Sequence, residues 1–249
     1  MPDVAAYALR LGDDALVLSH RLAEWVARAP ELEEDVALAN IALDLLGQAR
    51  TLLAYAGEVE GAERDEDALA YLRDDRAFGN LQIVELPRGD FGRTIARQLL
   101  FSVYQHLLYG ELARSVDATL AGVAGKAVKE VAYHRDHATQ WTLRLGDGTA
   151  ESHERLQAGL AYVWPYVDEM FEADALVARL AADGVGVDVS GLRAAWDAGV
   201  GEVLREATLE RPEMPPARCA GRRGLHTEHL GHLLAEMQSL HRAHPGATW

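Results

Sequence analysis

The sequence predicts an all-α protein, and three observations carry the prediction. Apolar residues recur at helical spacing through four long segments, strand-like alternation is nearly absent, and glycine and proline fall mainly between the periodic segments. At 249 residues with 49% apolar content, the chain has ample material for a packed core.

The first helix is expected over about residues 7–28, on Leu11, Leu18, Leu22 and Trp25, with Ala29-Pro30 as its stop. A second, over about 31–57, opens on Glu31, Glu33, Glu34 and Asp35, which suit the positive end of a helix dipole, and continues through Leu38, Ile41, Leu45 and Leu52. The short turn between the two implies an antiparallel pair. A shorter helix fits about 65–78, and 79–89, with Pro87, reads as a crossover connection. Asp90 caps a third long helix reaching about 115, and a fourth runs from about 117 to 145, where Gly146-Asp147-Gly148 ends it. Thr149 with Ser152 caps a fifth helix to about 172, kinked at Pro165. Residues 185–189 read as a loop, a helix follows from Ser190, and a last helix spans about 227–241. The chain is thus expected to form a single domain over 1–249, with a core bundle at about 5–145 and additional helices at about 149–243.

Within the long segments sit two degenerate motifs. A ferritin-like di-metal bundle takes a Glu from each of two helices and a Glu-x-x-His from each of the other two. Here the pair ending at Gln48 begins at Leu45, and the pair ending at His134 begins at Val131. Leucine and valine offer no electron pairs to a metal, so the pattern is that of a ferritin-like four-helix bundle with additional C-terminal helices, no metal and no catalytic residue of its own. The helical stripes bring Asp14, Gln48, Ser102 and His134 inward, with Asp44 and Glu130 beside them. These residues are expected to form a buried polar layer that fixes helix register. The competing reading is a di-iron or di-manganese oxidase built on Asp14, Asp44, His106, Glu130 and His134.

A net charge of −15 argues against a general grip on nucleic acid. No run approaches the roughly 20 uninterrupted apolar residues of a membrane span. The Met-Pro-Asp-Val start lacks a basic region followed by an apolar one, so a cytoplasmic protein is expected. The single cysteine, Cys219, reads as an incidental small residue. Arg218, Arg222 and Arg223 crowd one stretch before the last helix. They can either take coenzyme A phosphates or pair with acids of this chain or a partner, and the second is preferred in so acidic a protein. His226, His229 and His232 lack His-Glu-x-x-His spacing, and read as a capped helix start at Thr227 whose histidines meet a partner surface. Trp249 is expected to dock against something.

Four runs carry a resemblance. They are Ala6-Tyr7-Ala8-Leu9-Arg10-Leu11-Gly12-Asp13, Ala29-Pro30-Glu31-Leu32-Glu33, the stretch from Leu38 to Arg50 containing Asn40-Ile41-Ala42-Leu43-Asp44-Leu45-Leu46-Gly47-Gln48, and Gly224-Leu225-His226-Thr227-Glu228-His229-Leu230-Gly231. The chain, from about residue 5 to 249, resembles the C subunits of bacterial ring-1,2-phenylacetyl-CoA epoxidases. The resemblance implies a non-catalytic, structural subunit that pairs with the A subunit, a related bundle carrying di-iron. It further implies a complex that epoxidises the ring of phenylacetyl-CoA in aerobic phenylacetate catabolism. Electrons would come from NADPH through a reductase subunit with FAD and a 2Fe-2S cluster. A subunits have Glu-Ala-Gly-His where this chain has Leu45-Leu46-Gly47-Gln48, and Glu-Ser-Phe-His where it has Val131-Ala132-Tyr133-His134. Phenylacetyl-CoA is expected, if it touches this chain, at the shared interface.

Overall fold

A computed structural model describes residues 2–247, so the expectation for Trp249 lies outside the described residues. The described chain is all-α, its one β-type feature being an isolated antiparallel bridge between Ala220 and Leu225. Backbone contacts divide it into two compact units: one made of Met1–Arg28, Leu32–Pro87 and Cys219–Trp249, the other of Ala29–Glu31 and Arg88–Arg218.

The first unit is organised by α1 (Pro2–Ala23) and α2 (Leu32–Glu60). They run antiparallel: Gly12 meets Leu52 and Leu53, while Ser19, His20 and Ala23 line a groove with Ala39, Ala42, Leu43 and Leu46. From Leu11 to Ser19 every residue of α1 is buried, so this helix is enclosed on all sides, which is why its apolar residues overrun a single stripe. The helix starts earlier than expected, with Pro2 at its first position where a missing N–H costs nothing. It also ends earlier, because beyond Ala23 the chain passes into tighter turns, among them Trp25 N–H to Leu22 O and Arg28 N–H to Trp25 O, before reaching Pro30. α2 is by length and composition apolar enough to cross a membrane, although less than half of its most apolar window is buried. The short helices α3 (Glu66–Tyr71) and α4 (Gln82–Glu85) follow, α3 capped by the Asp65 carboxylate on the Ala68 N–H. α4 falls inside the stretch expected to be an open connection.

The second unit pairs α5 (Phe91–Leu112) with α6 (Ala118–Gly146). Phe91 packs edge-on against Trp141 at 4.9 Å, and His106 bonds to the Val128 backbone, so this pair is also antiparallel. The expected cap is in place, Asp90 accepting from Arg93 N–H, and Asp117 caps α6 by accepting from Thr119 and Leu120 N–H. Thr149 and Ser152 form a reciprocal capping box on α7 (Ala150–Val163). α7 stops short of the expected 172 because Pro165 lies in a 3₁₀ turn, Trp164–Tyr166, that replaces the helix rather than kinking it. α8 (Ala175–Ala182), unforeseen in the sequence, is capped by Asp174, and α9 (Arg193–Glu206) follows a 3₁₀ turn that begins beside Ser190. The last helix, α10 (Glu228–Ala243), returns to the first unit.

Two glycines set how closely α5 and α7 approach. A Cβ on Gly159 would stand 2.8 Å from Arg93 Cα, and one on Gly92 3.1 Å from the Arg155 backbone. Gly201, on α9, has open space around it. Gly159→Ala is therefore expected to destabilise the protein by about 1–3 kcal/mol, and Gly201→Ala to be neutral or stabilising by up to about 1 kcal/mol. Urea unfolding of the two variants checks this; equal effects would mean that the close crossing does not constrain the unit.

Candidate functional site

The polar chemistry of the first unit is concentrated around two adjacent aspartates on the fully enclosed helix α1. Asp13 and Asp14 are both buried. Each has a dedicated arginine from a distant part of the chain. Arg73, just past α3, donates to Asp13 Oδ2 at 3.1 Å and to Asp13 Oδ1, and its guanidinium also stacks over Phe78 at 4.1 Å. Arg222 donates from Nη2 to Asp14 Oδ2 at 2.7 Å and from Nη1 to Asp14 Oδ1 at 3.1 Å, a bidentate pair. Backbone amides complete the carboxylates: Gly79 N–H to Asp13 Oδ2 at 2.8 Å and Leu81 N–H to Asp14 Oδ1 at 2.7 Å.

The basic stretch is shaped to deliver Arg222 inward. Gly221–Arg223 forms a 3₁₀ turn closed by Gly224 in the left-handed conformation at φ 70°, and a Cβ there would stand 2.3 Å from Arg76 O. Glycine answers both constraints. The turn folds back through Leu225 N–H to Ala220 O, and Arg222 also donates to Gly79 O at 2.8 Å and Arg10 O at 3.1 Å. Arg10 returns a bond to Arg222 O at 3.0 Å. This corrects one of the two sequence readings: Arg222 is committed to Asp14 and to main-chain carbonyls, and is not free to take a phosphate. Arg218 and Arg223 are exposed, Arg223 donating to Cys219 O at 3.4 Å.

A third buried carboxylate, Glu85, anchors the start of α10. Its Oε1 accepts the Thr227 N–H at 2.6 Å, and its Oε2 faces Asn80 Nδ2 at 2.8 Å and His226 Nδ1 at 2.7 Å. The other His226 nitrogen lies 2.9 Å from Phe78 O, which can only accept, so Nε2 carries a hydrogen and the His226–Glu85 pair shares one further proton. Arg21 closes the set, donating to Glu85 O at 3.0 Å, His229 O at 2.8 Å and Glu24 Oε1 at 2.6 Å. The expected histidine surface is thereby corrected. The His226 side chain is buried, His229 is half-buried and His232 exposed, and Thr227 occupies the cap position without a side-chain bond to a helix amide, its own N–H donating to Glu85.

The residues expected in the polar layer divide between the units. In the first, Asp14 is bonded as described, Gln48 is buried and Asp44 half-buried. In the second, His134 is buried, Ser102 is buried with its hydroxyl 3.5 Å from Leu99 O, and Glu130 sits nearer the surface, 3.3 Å from Lys126. Leu45 and Val131 are fully buried. His106 has its Nδ1 buried without a partner, and burial together with the Arg135 charge lowers its pKa, while the bond to the Val128 backbone opposes them. Among the described residues no three His, Cys, Asp or Glu side chains gather as a metal-holding group. Sequence reasoning missed Asp13, Arg73, Glu85 and Arg21. The available signal was Asp13-Asp14 inside the otherwise apolar run from Leu11 to Leu18, a pair that cannot be buried without cations.

Chemically, this arrangement is saturated: each of the three carboxylates is occupied by donors of the same chain, which suits holding segments in register rather than turning over a substrate. Burial pushes the Asp14 carboxyl above its ordinary 3.8, and Arg222, the Leu81 N–H and the Arg222 hydrogen bonds pull it back only in part. A raised folded-state pKa means that the folded chain holds the proton more tightly than the unfolded one. This group's contribution to stability thus falls as pH rises from about 3.8 through its folded value. Removing Arg222 would exaggerate that dependence. Arg222→Met is expected to lose about 3–5 kcal/mol at pH 7 by leaving a buried uncompensated charge, and to recover part of the loss relative to the parent toward pH 4–5 as Asp14 protonates. Urea unfolding at both pH values tests it, and a pH-independent loss would show that Arg222 acts through packing alone.

A family model described as phenylacetic acid catabolic protein matches residues 2–249. The chain is 49% identical over 249 residues to the C subunit of the 1,2-phenylacetyl-CoA epoxidase of Escherichia coli strain K12, with 100% of both chains covered. On these matches and its helical architecture, the chain belongs to the phenylacetic acid catabolic protein family and has an all-α, ferritin-like fold.

Proposed function

We propose that this chain is the non-catalytic, structural C subunit of a cytoplasmic phenylacetyl-CoA ring-1,2-epoxidase, and that it pairs with and stabilises the A subunit. The observation that carries the reading is the pair of fully buried aliphatic residues, Leu45 and Val131, at the positions where the motif of a di-iron bundle needs carboxylates. The neighbouring donors are engaged elsewhere: Asp14 by Arg222 and Leu81, and Glu130 by Lys126. This donor set does not fit a two-iron centre, which wants several carboxylates and imidazoles facing one another. The di-iron would reside in the A subunit, with FAD and 2Fe-2S in the NADPH-dependent reductase subunit.

The physical role proposed is that of a stiff companion. An active bundle must open its core to admit a bulky acyl-CoA and oxygen, and a bundle that gives up no core volume to a ligand can hold the opened partner in place. The buried ion pairs of α1 supply such stiffness, since each carboxylate is bonded to an arginine and to a backbone amide of a distant segment and so ties the elements together. Phenylacetyl-CoA would then be met at the shared interface. Arg218 and Arg223, exposed where Arg222 is not, are the basic residues available to its phosphates.

Two outcomes are expected. The A subunit produced without this chain is insoluble or inactive and regains activity on coexpression; an active, well-behaved A subunit alone would contradict the proposal. In titration calorimetry, coenzyme A gives no heat with this chain alone and gives heat with the pair; tight binding to the isolated chain would move the ligand site into this subunit.

A further inference from the structure

The outward face of α2 is more apolar than the fold requires. Leu32, Val36, Ala39, Leu43 and Leu46 follow one another at alternating steps of four and three residues, the spacing of a helix–helix seam. Yet Leu32 is 75% exposed, Val36 53%, Leu43 63% and Leu46 43%. The stripe is about 21 Å long at 1.5 Å per residue. Beside it Val26, 54% exposed, and Ala23 form the far wall of an apolar groove of about 270 Å³ whose floor is Ala39 and Ala42. Four large exposed aliphatic residues in register on one helix form a contiguous patch of the kind that marks an interface.

The charges around the stripe select what can cover it. Glu33 and Asp35 flank its N-terminal half and Asp44 its C-terminal half. Of the cations flanking the stripe in sequence, Arg28 is exposed just ahead of α2, and Arg50, one turn past Leu46, bonds Glu66 at 3.1 Å. His20, at the groove, is held neutral near pH 7 because burial and the Arg21 charge lower its pKa against the smaller pull of Glu24. A second copy would bring acids against acids, on chains that each carry −15. The occupant must therefore present an apolar helix face with lysines or arginines on its edges.

We propose that this face, centred on Leu43, is the surface by which the chain seats a basic-edged helix of the A subunit. The inference rests on the pairing proposed above and names its surface. The seam spacing supplies the register, the groove beside Val26 takes the largest apolar side chain of the incoming helix, and the acids, Glu33 and Asp35 toward one end against Asp44 toward the other, bias its orientation.

The test is capture of the chain by a tagged A subunit on coexpression. If the parent chain is not captured, the pairing itself is wrong, whatever face is considered. If it is captured, Leu43→Glu with Leu46→Glu is expected to weaken capture at least about tenfold, the ordinary consequence of replacing central interface side chains. Glu33→Lys with Asp35→Lys should weaken it less and reduce its salt sensitivity. Val116→Glu, an equally exposed apolar position in the other unit, should have no effect. The Leu43/Leu46 variant changes only exposed positions, and an unchanged thermal melt verifies its fold. Undiminished capture of that variant would overturn the inference while leaving the pairing intact. A dimer of the isolated chain that Leu43→Glu dissolves, or flotation of the isolated chain on phospholipid vesicles that Leu43→Glu abolishes, would overturn it in favour of a second copy or a lipid surface.

Discussion

The ion pair between Asp14 and Arg222 joins residues 208 apart in sequence, and the architecture of the first unit depends on it. A carboxylate on a helix enclosed on every side has no water to solvate it, so its compensation must come from another segment of the chain. The C-terminal stretch supplies that compensation, and in doing so brings Glu85, His226 and the start of α10 into a common set of bonds. This explains why the unit is discontinuous: residues after Cys219 belong with the first helices rather than with the segment that immediately precedes them. It also explains the conformation of the stretch. A 3₁₀ turn closed by a left-handed glycine is a compact way to point an arginine back at a helix while its carbonyl accepts from Arg10 and the Leu225 N–H closes the turn on Ala220 O.

The two faces of α2 show the division of labour in this molecule. One face, Leu38, Ile41, Leu45, Gln48 and Leu52, is fully or nearly fully buried and accounts for the packing of the unit. The other carries apolar surface that the described residues leave largely uncovered. A helix can keep such a face only where something covers it or selection tolerates it, and the seam-like register favours the first. A core closed by Leu45 and Val131 and a surface with uncovered apolar side chains are consistent with the proposed role of holding another subunit.

Much of the fold was legible in the sequence because long helices leave a periodic record and their ends carry local chemistry. Asp90 and the Thr149 and Ser152 box cap where expected because each bonds an amide three residues away. The short helices α4 and α8 were not read, since four and eight residues are too few for a period to emerge. The extent of α1 was misjudged because Ala29-Pro30 is a strong stop, whereas the helix had already given way to tighter turns. In the polar site, the preferred reading paired the basic stretch with acids of this chain or of a partner, and Arg222 meets an acid of its own chain. Which acid could not be read, because a bond across 208 residues is decided by tertiary packing alone. The histidine stretch misled for the same reason: the destination of His226 is a carboxylate on α4, a helix too short to be seen in advance.

As proposed, this chain is a companion to chemistry that occurs in its neighbour, a proposal that rests on the donors present in its interior. The most direct measurement is elemental analysis of the chain purified alone, without chelators, after expression in iron- and manganese-supplemented medium. Substoichiometric metal, with no absorbing oxo-bridged centre and no oxygen consumption with reductant, is the predicted result. About two iron or manganese atoms per chain, bound in a form that consumes oxygen without any other protein of the complex, would contradict it.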